Sequence, residues 1–69
     1  MKISARNTLK GTVKSVTMGA VNAEIVIEVA AGLSITSIIT KASAEQLGLA
    51  VGSEAYAVIK ASDVLMAVD

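Results

Sequence analysis

The chain has no cysteine, histidine, proline, tryptophan or phenylalanine, and its one aromatic residue is Tyr56. Without cysteine or histidine, disulfides and the usual zinc, iron or copper sites are excluded. No histidine, cysteine or clustered acid pair is present to activate a nucleophile, so a hydrolase or transferase is disfavoured. One tyrosine makes no stacking platform for bases. Net charge is also lacking: six basic and six acidic side chains cancel, which argues against nucleic acid held by bulk electrostatics. No run approaches the ~20 apolar residues a membrane helix needs, and the start has no signal-peptide apolar block. These absences predict a cytoplasmic, non-enzymatic protein with no nucleic-acid or membrane partner. With no proline-rich or low-complexity linker, residues 1–69 read as one domain.

What is present is aliphatic. Of the 69 residues, 54% are hydrophobic, so the core must be built from Val, Ile, Leu, Ala and Met. Burial at ~25 cal/mol per Å², set against ~1.5 kcal/mol of entropy per ordered residue, leaves so short a monomer near zero net stability. With disulfides and metals excluded, subunit association is the remaining stabiliser. The composition predicts an oligomer with apolar interfaces.

Hydrophobic alternation predicts strands at about 3–17, 21–29, 33–40, 54–60 and 64–68. The first alternates Leu9, Gly11 and Val13 with Lys10, Thr12 and Lys14, and its pattern breaks at Ser15-Val16, as at a bulge. Gly11, inside this strand, marks a bulge or a close backbone approach. Val26 and Ile38 fall on otherwise polar faces, which suggests that both faces meet something. Ser43-Ala44-Glu45-Gln46 fits a capping box with Ser43 as N-cap, and Gly48 closes that short helix. Met18 and Met66 read as core or interface fillers. Three strands, a short helix and two strands give the element order of an all-β, five-stranded, OB-like Greek-key barrel.

Two polar clusters stand out, Ser4-Ala5-Arg6-Asn7 and Lys60-Ala61-Ser62. Each pairs a cation with a hydroxyl and neither contains a carboxylate. Such donors suit a small, fully deprotonated oxyanion. The helix start at Ser43 adds free amides and a positive dipole end.

Read together with Leu9-Lys10-Gly11, Gly19-Ala20-Val21-Asn22-Ala23, Leu47-Gly48-Leu49 with Gly52, and Ala57-Val58-Ile59, these clusters resemble the molybdate-binding Mop domain, or molbindin. The resemblance spans essentially the whole chain. It implies an OB-like barrel assembled as a homohexamer, a trimer of dimers, that holds molybdate or tungstate between subunits without a catalytic cofactor. It further implies that Ser4, Arg6, Lys60 and Ser62 contact the anion, joined by Thr40 and Ser43 of a neighbouring subunit. Backbone amides of Ala5, Val21, Ala23 and Ala61 would complete the shells, with Asn7, Val21 and Ala23 belonging either to these contacts or to a second site. The implied role is intracellular storage or homeostasis of the oxyanion. An OB-type nucleic-acid module, or a module for another small anion, is the alternative.

The residues alone leave plainer readings open. Arg6 fits an ion pair with Asp63 or Glu54, and Lys60 a solvated strand end. Ser4 and Ser62 fit turns or caps, Ser43 a pure helix cap, and Thr40 an ordinary strand residue. Asn7 reads as structural, bonding the backbone where the first strand begins. Lys10, Lys14 and Lys41 read as solvated.

Overall fold

The computed structural model describes the whole chain, Met1–Asp69. Alternating residues build a meander of β1 (Asn7–Met18), β2 (Asn22–Ala30) and β3 (Leu33–Thr40). After α1 (Lys41–Leu47), β4 (Glu54–Ile59) returns to lie beside β1. All pairings are antiparallel and the sheet order is β3-β2-β1-β4. A fourth strand placed next to the first of a three-strand meander is the Greek-key order.

β1 serves two partners. Its residues 7–12 pair with β4, and from Thr12 onward it pairs with β2. The register shifts between Val13 and Ser15, which leaves Lys14 as the extra residue of a bulge and bends the strand. The broken alternation at Ser15-Val16 anticipated this. Gly11 lies at the changeover, where a Cβ would collide with the Glu28 carbonyl oxygen and the Ile27 side chain. The close approach of β1 to β2 therefore requires glycine. The result is a curled half-barrel.

Its concave side holds the core. Val13, Ala23, Ile25, Ile27 and Ala44 are buried, and they are the only buried residues among the 69. Val16, Ile39, Leu49 and Ala55 pack around them. So few buried positions in so aliphatic a chain leave much apolar surface facing outward, Ile38 among it. Met18 and Met66 stay out of the core and are exposed.

Three expectations are corrected. First, β1 starts at Asn7 rather than near Ile3. Second, the helix cap is Thr40, one turn earlier than Ser43, and Gln46 takes no part in a capping box. Thr40 Oγ1 accepts the Ser43 N–H at 3.0 Å, so Ser43 occupies the third helical position. Both residues are good caps, and the strand runs directly into the helix, so Thr40 meets the orphan amides first. Third, residues 64–68 form no strand, and the barrel has four strands rather than five. A 3-10 turn at Ala61–Asp63 follows β4 and no ladder partner stands beside the segment beyond it. Leu65, Met66 and Val68 are almost fully exposed.

The helix closes as expected. Gly48 adopts a left-handed φ of 66°. Its N–H donates to the Glu45 carbonyl at 3.1 Å, and the Leu49 N–H donates to that of Ala44 at 3.2 Å. These are the paired bonds of a Schellman motif.

Candidate functional site

The two polar clusters, distant in sequence, meet at one end of the sheet. Asn7 pairs with Ile59 as the last rung between β1 and β4. The Asn7 side-chain amide also donates to the Ile59 carbonyl at 3.2 Å. Arg6 and Lys60 each lie one residue beyond that rung, with Ser4 and Ala5 before Arg6 and with Ala61 and Ser62 after Lys60. Ser4, Arg6, Lys60, Ala61 and Ser62 are exposed, while Ala5 and Asn7 are half-buried. The structural role expected of Asn7 holds: it ties together the two strands that carry the cations.

Neither cation is neutralised. The ion pairs are Lys10–Glu54 at 2.8 Å and Lys14–Glu28 at 3.7 Å. Glu54 is thereby engaged at the other end of β4, and Asp63 makes no ion pair, so the ion-pair reading of Arg6 is not realised. The hydrogen bond between Lys10 and Glu54, reinforced by their charges, pushes the lysine pKa up and the carboxyl pKa down. That pair is surface electrostatics, apart from the donor cluster. Lys10 and Lys14 are thus ion-paired rather than merely solvated.

A second donor group forms where β3 meets α1. The Thr40 hydroxyl accepts the Ser43 N–H and donates to Ser43 Oγ at 2.8 Å. This leaves the Ser43 hydroxyl proton free for an outside acceptor. Asn22 pairs with Thr40 and Ala23 with Ile39, and the Lys41 N–H donates to the Val21 carbonyl at 2.7 Å. Val21 is exposed, whereas Ala23 is buried at 1% exposure, so the Ala23 methyl belongs to the core. Lys41 is a candidate that sequence reasoning missed. It is a further cation without a carboxylate partner, directly beside Thr40, and that adjacency was the available signal.

The two groups sit at opposite ends of β1. Twelve residues at about 3.3 Å each would span roughly 40 Å if straight. Curl and bulge shorten this, yet no hydrogen bond or ion pair joins the groups. Within one chain the two donor groups are thus separate clusters, one at each end of β1.

The larger cavities do not coincide with the donors. One, about 650 Å³, is an aliphatic groove between β3 and β4 whose only charged lining residue is Glu54. The other, about 430 Å³, sets Glu28 and Glu54 against Lys10, a balance that repels a dianion. No group of three or more acidic, His or Cys side chains forms a metal site. No helix is long and apolar enough to cross a membrane.

Residues 3–66 match the TOBE domain family. The chain belongs to that family. Its relatives place it among the Mop, or molbindin, proteins. It is 52% identical to molybdenum-pterin-binding protein 1 of Clostridium pasteurianum over 96% of this chain and 97% of that one. It is also 52% identical to the molybdenum-pterin-binding protein MopA of Rhodobacter capsulatus over 97% of this chain, but it spans only 25% of MopA. Among solved structures, the cytoplasmic molybdate-binding protein ModG with molybdate bound superposes with a TM-score of 0.90 at 51% identity. That match covers 94% of this chain and 46% of ModG.

Proposed function

We propose that this chain binds molybdate, and tungstate with it, as a non-catalytic oxyanion protein that stores or buffers the ion in the cytoplasm. The observation that carries this reading is the juxtaposition of unpaired Arg6 and Lys60 with Ser4 and Ser62, with no carboxylate engaged. Molybdate is a tetrahedral dianion with no proton at neutral pH, so its oxygens accept and never donate. A donor-only site matches it. ModG, about half of which superposes on nearly the whole of this chain, is itself a molybdate-binding protein. Several relatives carry pterin in their names, but the larger groove here is mostly aliphatic and lies apart from Arg6, Lys60, Ser4 and Ser62, none of which lines it.

The site is completed between chains. Arg6, Lys60, Ser4 and Ser62 of one subunit face Thr40 and Ser43 of another, with amides near Ala5, Val21, Ala23 and Ala61 filling the shell. The separation of the half-sites along β1 and the small buried core support this arrangement. The assembly we favour is a homohexamer built as a trimer of dimers. A ligand that only the oligomer can bind also stabilises the oligomer by mass action.

Isothermal calorimetry tests the reading. Molybdate and tungstate should bind with Kd of about 1 μM or tighter, near −8 kcal/mol. Absence of heat at millimolar molybdate, from a protein whose mass shows it assembled, would refute it.

A further inference from the structure

The six cations and six carboxylates of this chain cancel in number, but not in place. Lys10 and Lys14, in the middle of β1, are neutralised by Glu54 and Glu28. Where β3 runs into α1, Lys41 has two carboxylates around it in the fold. Glu45 lies one helical turn further along α1, and Glu24 pairs with Ile38, two residues before Thr40. That end of the sheet carries a small negative surplus. The opposite end sets Lys2, Arg6 and Lys60 against Asp63. None of these four makes an ion pair, and all four are exposed. The remaining carboxylate, Asp69, lies six residues further along the chain. A molecule without net charge is thus positive where its donors are.

Arg6 and Lys60 already have a place in the donor cluster, but Lys2 has none. Two peptide units separate Lys2 from Ser4, so their Cα atoms are at most about 7.6 Å apart in any conformation. Met1 lines the aliphatic groove between β3 and β4, so Lys2 stands between that groove and the donors. Its side chain joins no hydrogen bond or ion pair. A cation so placed lies within reach of the donors' field, since the Debye length is about 10 Å at 0.1 M ionic strength. Nothing holds it against them.

We infer that Lys2 is a steering residue: with Arg6 and Lys60 it draws a small dianion to the positive end of the molecule and speeds the filling of the donor site, without holding the bound ion. This deepens the oxyanion reading and rests on it. Charges at the rim of a site act on the association rate and its salt dependence, whereas groups that grip the ligand act on dissociation. Asp63 acts in the opposite sense to Lys2. The group at Thr40 and Ser43 adds no comparable pull, because Glu24 and Glu45 offset Lys41. The ion therefore arrives from the Arg6–Lys60 side.

The test is kinetic. Protein loaded with radiolabelled molybdate, chased with unlabelled molybdate and filtered rapidly, gives the dissociation rate. Calorimetry on the same protein gives Kd, and the dissociation rate divided by Kd is the association rate. For a unit charge about 10 Å from a dianion in water, the screened Coulomb attraction corresponds to about a threefold rate change at 10 mM ionic strength. At 0.15 M it corresponds to about 1.5-fold. Lys2→Gln should slow association by these factors and leave dissociation unchanged. Asp63→Asn should move association the other way. Lys10→Gln with Glu54→Gln removes a neutral pair and should alter neither rate.

Lys2→Gln associating at the parent's rate at 10 mM overturns the inference. So does a loss that appears in dissociation, or one of equal size at both ionic strengths, since either marks a contact rather than a field. Slower association in Asp63→Asn overturns it as well. The parent protein separates this inference from the reading beneath it. A parent that binds no molybdate removes both, whereas a parent that binds it beside an unaffected Lys2→Gln removes the steering alone.

Discussion

Asn7 and Ile59 close the β1–β4 ladder twice, once as a backbone pair and once through the Asn7 side-chain amide 3.2 Å from the Ile59 carbonyl. This double closure fixes where Arg6 and Lys60 leave the sheet, each one residue beyond the same rung and neither in an ion pair. Hydrogen bonds to charged groups contribute about 1.5–3 kcal/mol each. Arg6→Ala with Lys60→Ala should therefore weaken molybdate binding at least ~100-fold in calorimetry, with the mass of the assembly unchanged. Unaltered affinity in the double variant would remove these two residues from the site.

Thr40 and Ser43 should separate in their effects, although they share a hydrogen bond. Thr40 Oγ1 caps the helix by accepting a backbone N–H, and that bond survives in Ser43→Ala. Thr40→Val loses the cap at a cost of about 1 kcal/mol, measured by urea denaturation without ligand at fixed protein concentration. Ser43→Ala should leave that midpoint nearly unchanged and still weaken molybdate binding. Equal destabilisation by both would mean that Ser43 is structural only.

Gly11 is where β1 passes from β4 to β2. Gly11→Ala would drive a methyl group into the Glu28 carbonyl and the Ile27 side chain. Backbone cannot yield as a flexible side chain does, so the expected loss is about 1–3 kcal/mol, read as a lower denaturation midpoint. A variant as stable as the parent would show that β1 and β2 can part at this point without cost.

How much of this was legible in the sequence depended on which partner each residue needed. β2 and β3 fell close to their expected limits because alternation reports burial against a face within the chain. The bulge near Ser15 and the closeness at Gly11 were legible for the same local reason. The helix cap was misplaced by a turn because Thr40 and Ser43 are both competent, and only the end of β3 decides between them. Residues 64–68 have a strand's composition, but a strand exists only beside an edge, and they pair with neither edge strand of their own sheet. The adjacency of Arg6 and Lys60 was not visible from spacing. It follows from the return of β4 to β1, a pairing between residues far apart in sequence. Lys41 was passed over because the group it meets in space, the Val21 carbonyl that accepts its N–H, comes from the residue just before β2.

A site built only of donors makes a prediction about anions that differ by a proton. Sulfate and monohydrogen phosphate are both compact tetrahedral dianions, but phosphate at neutral pH keeps one hydroxyl. Among Arg6, Lys60, Ser4 and Ser62 no carboxylate is engaged, and the remaining partners are hydroxyls and amides. The phosphate hydroxyl would then face N–H and O–H groups, with a serine or threonine oxygen as its only recourse. An unmet polar group costs about 1–3 kcal/mol, so phosphate should compete with molybdate ~5- to ~150-fold more weakly than sulfate does. Displacement calorimetry at pH 7 measures both. Phosphate competing as well as sulfate would require an acceptor in the site, and Asp63, two residues beyond Ala61 and free of any ion pair, would be the first place to look for it.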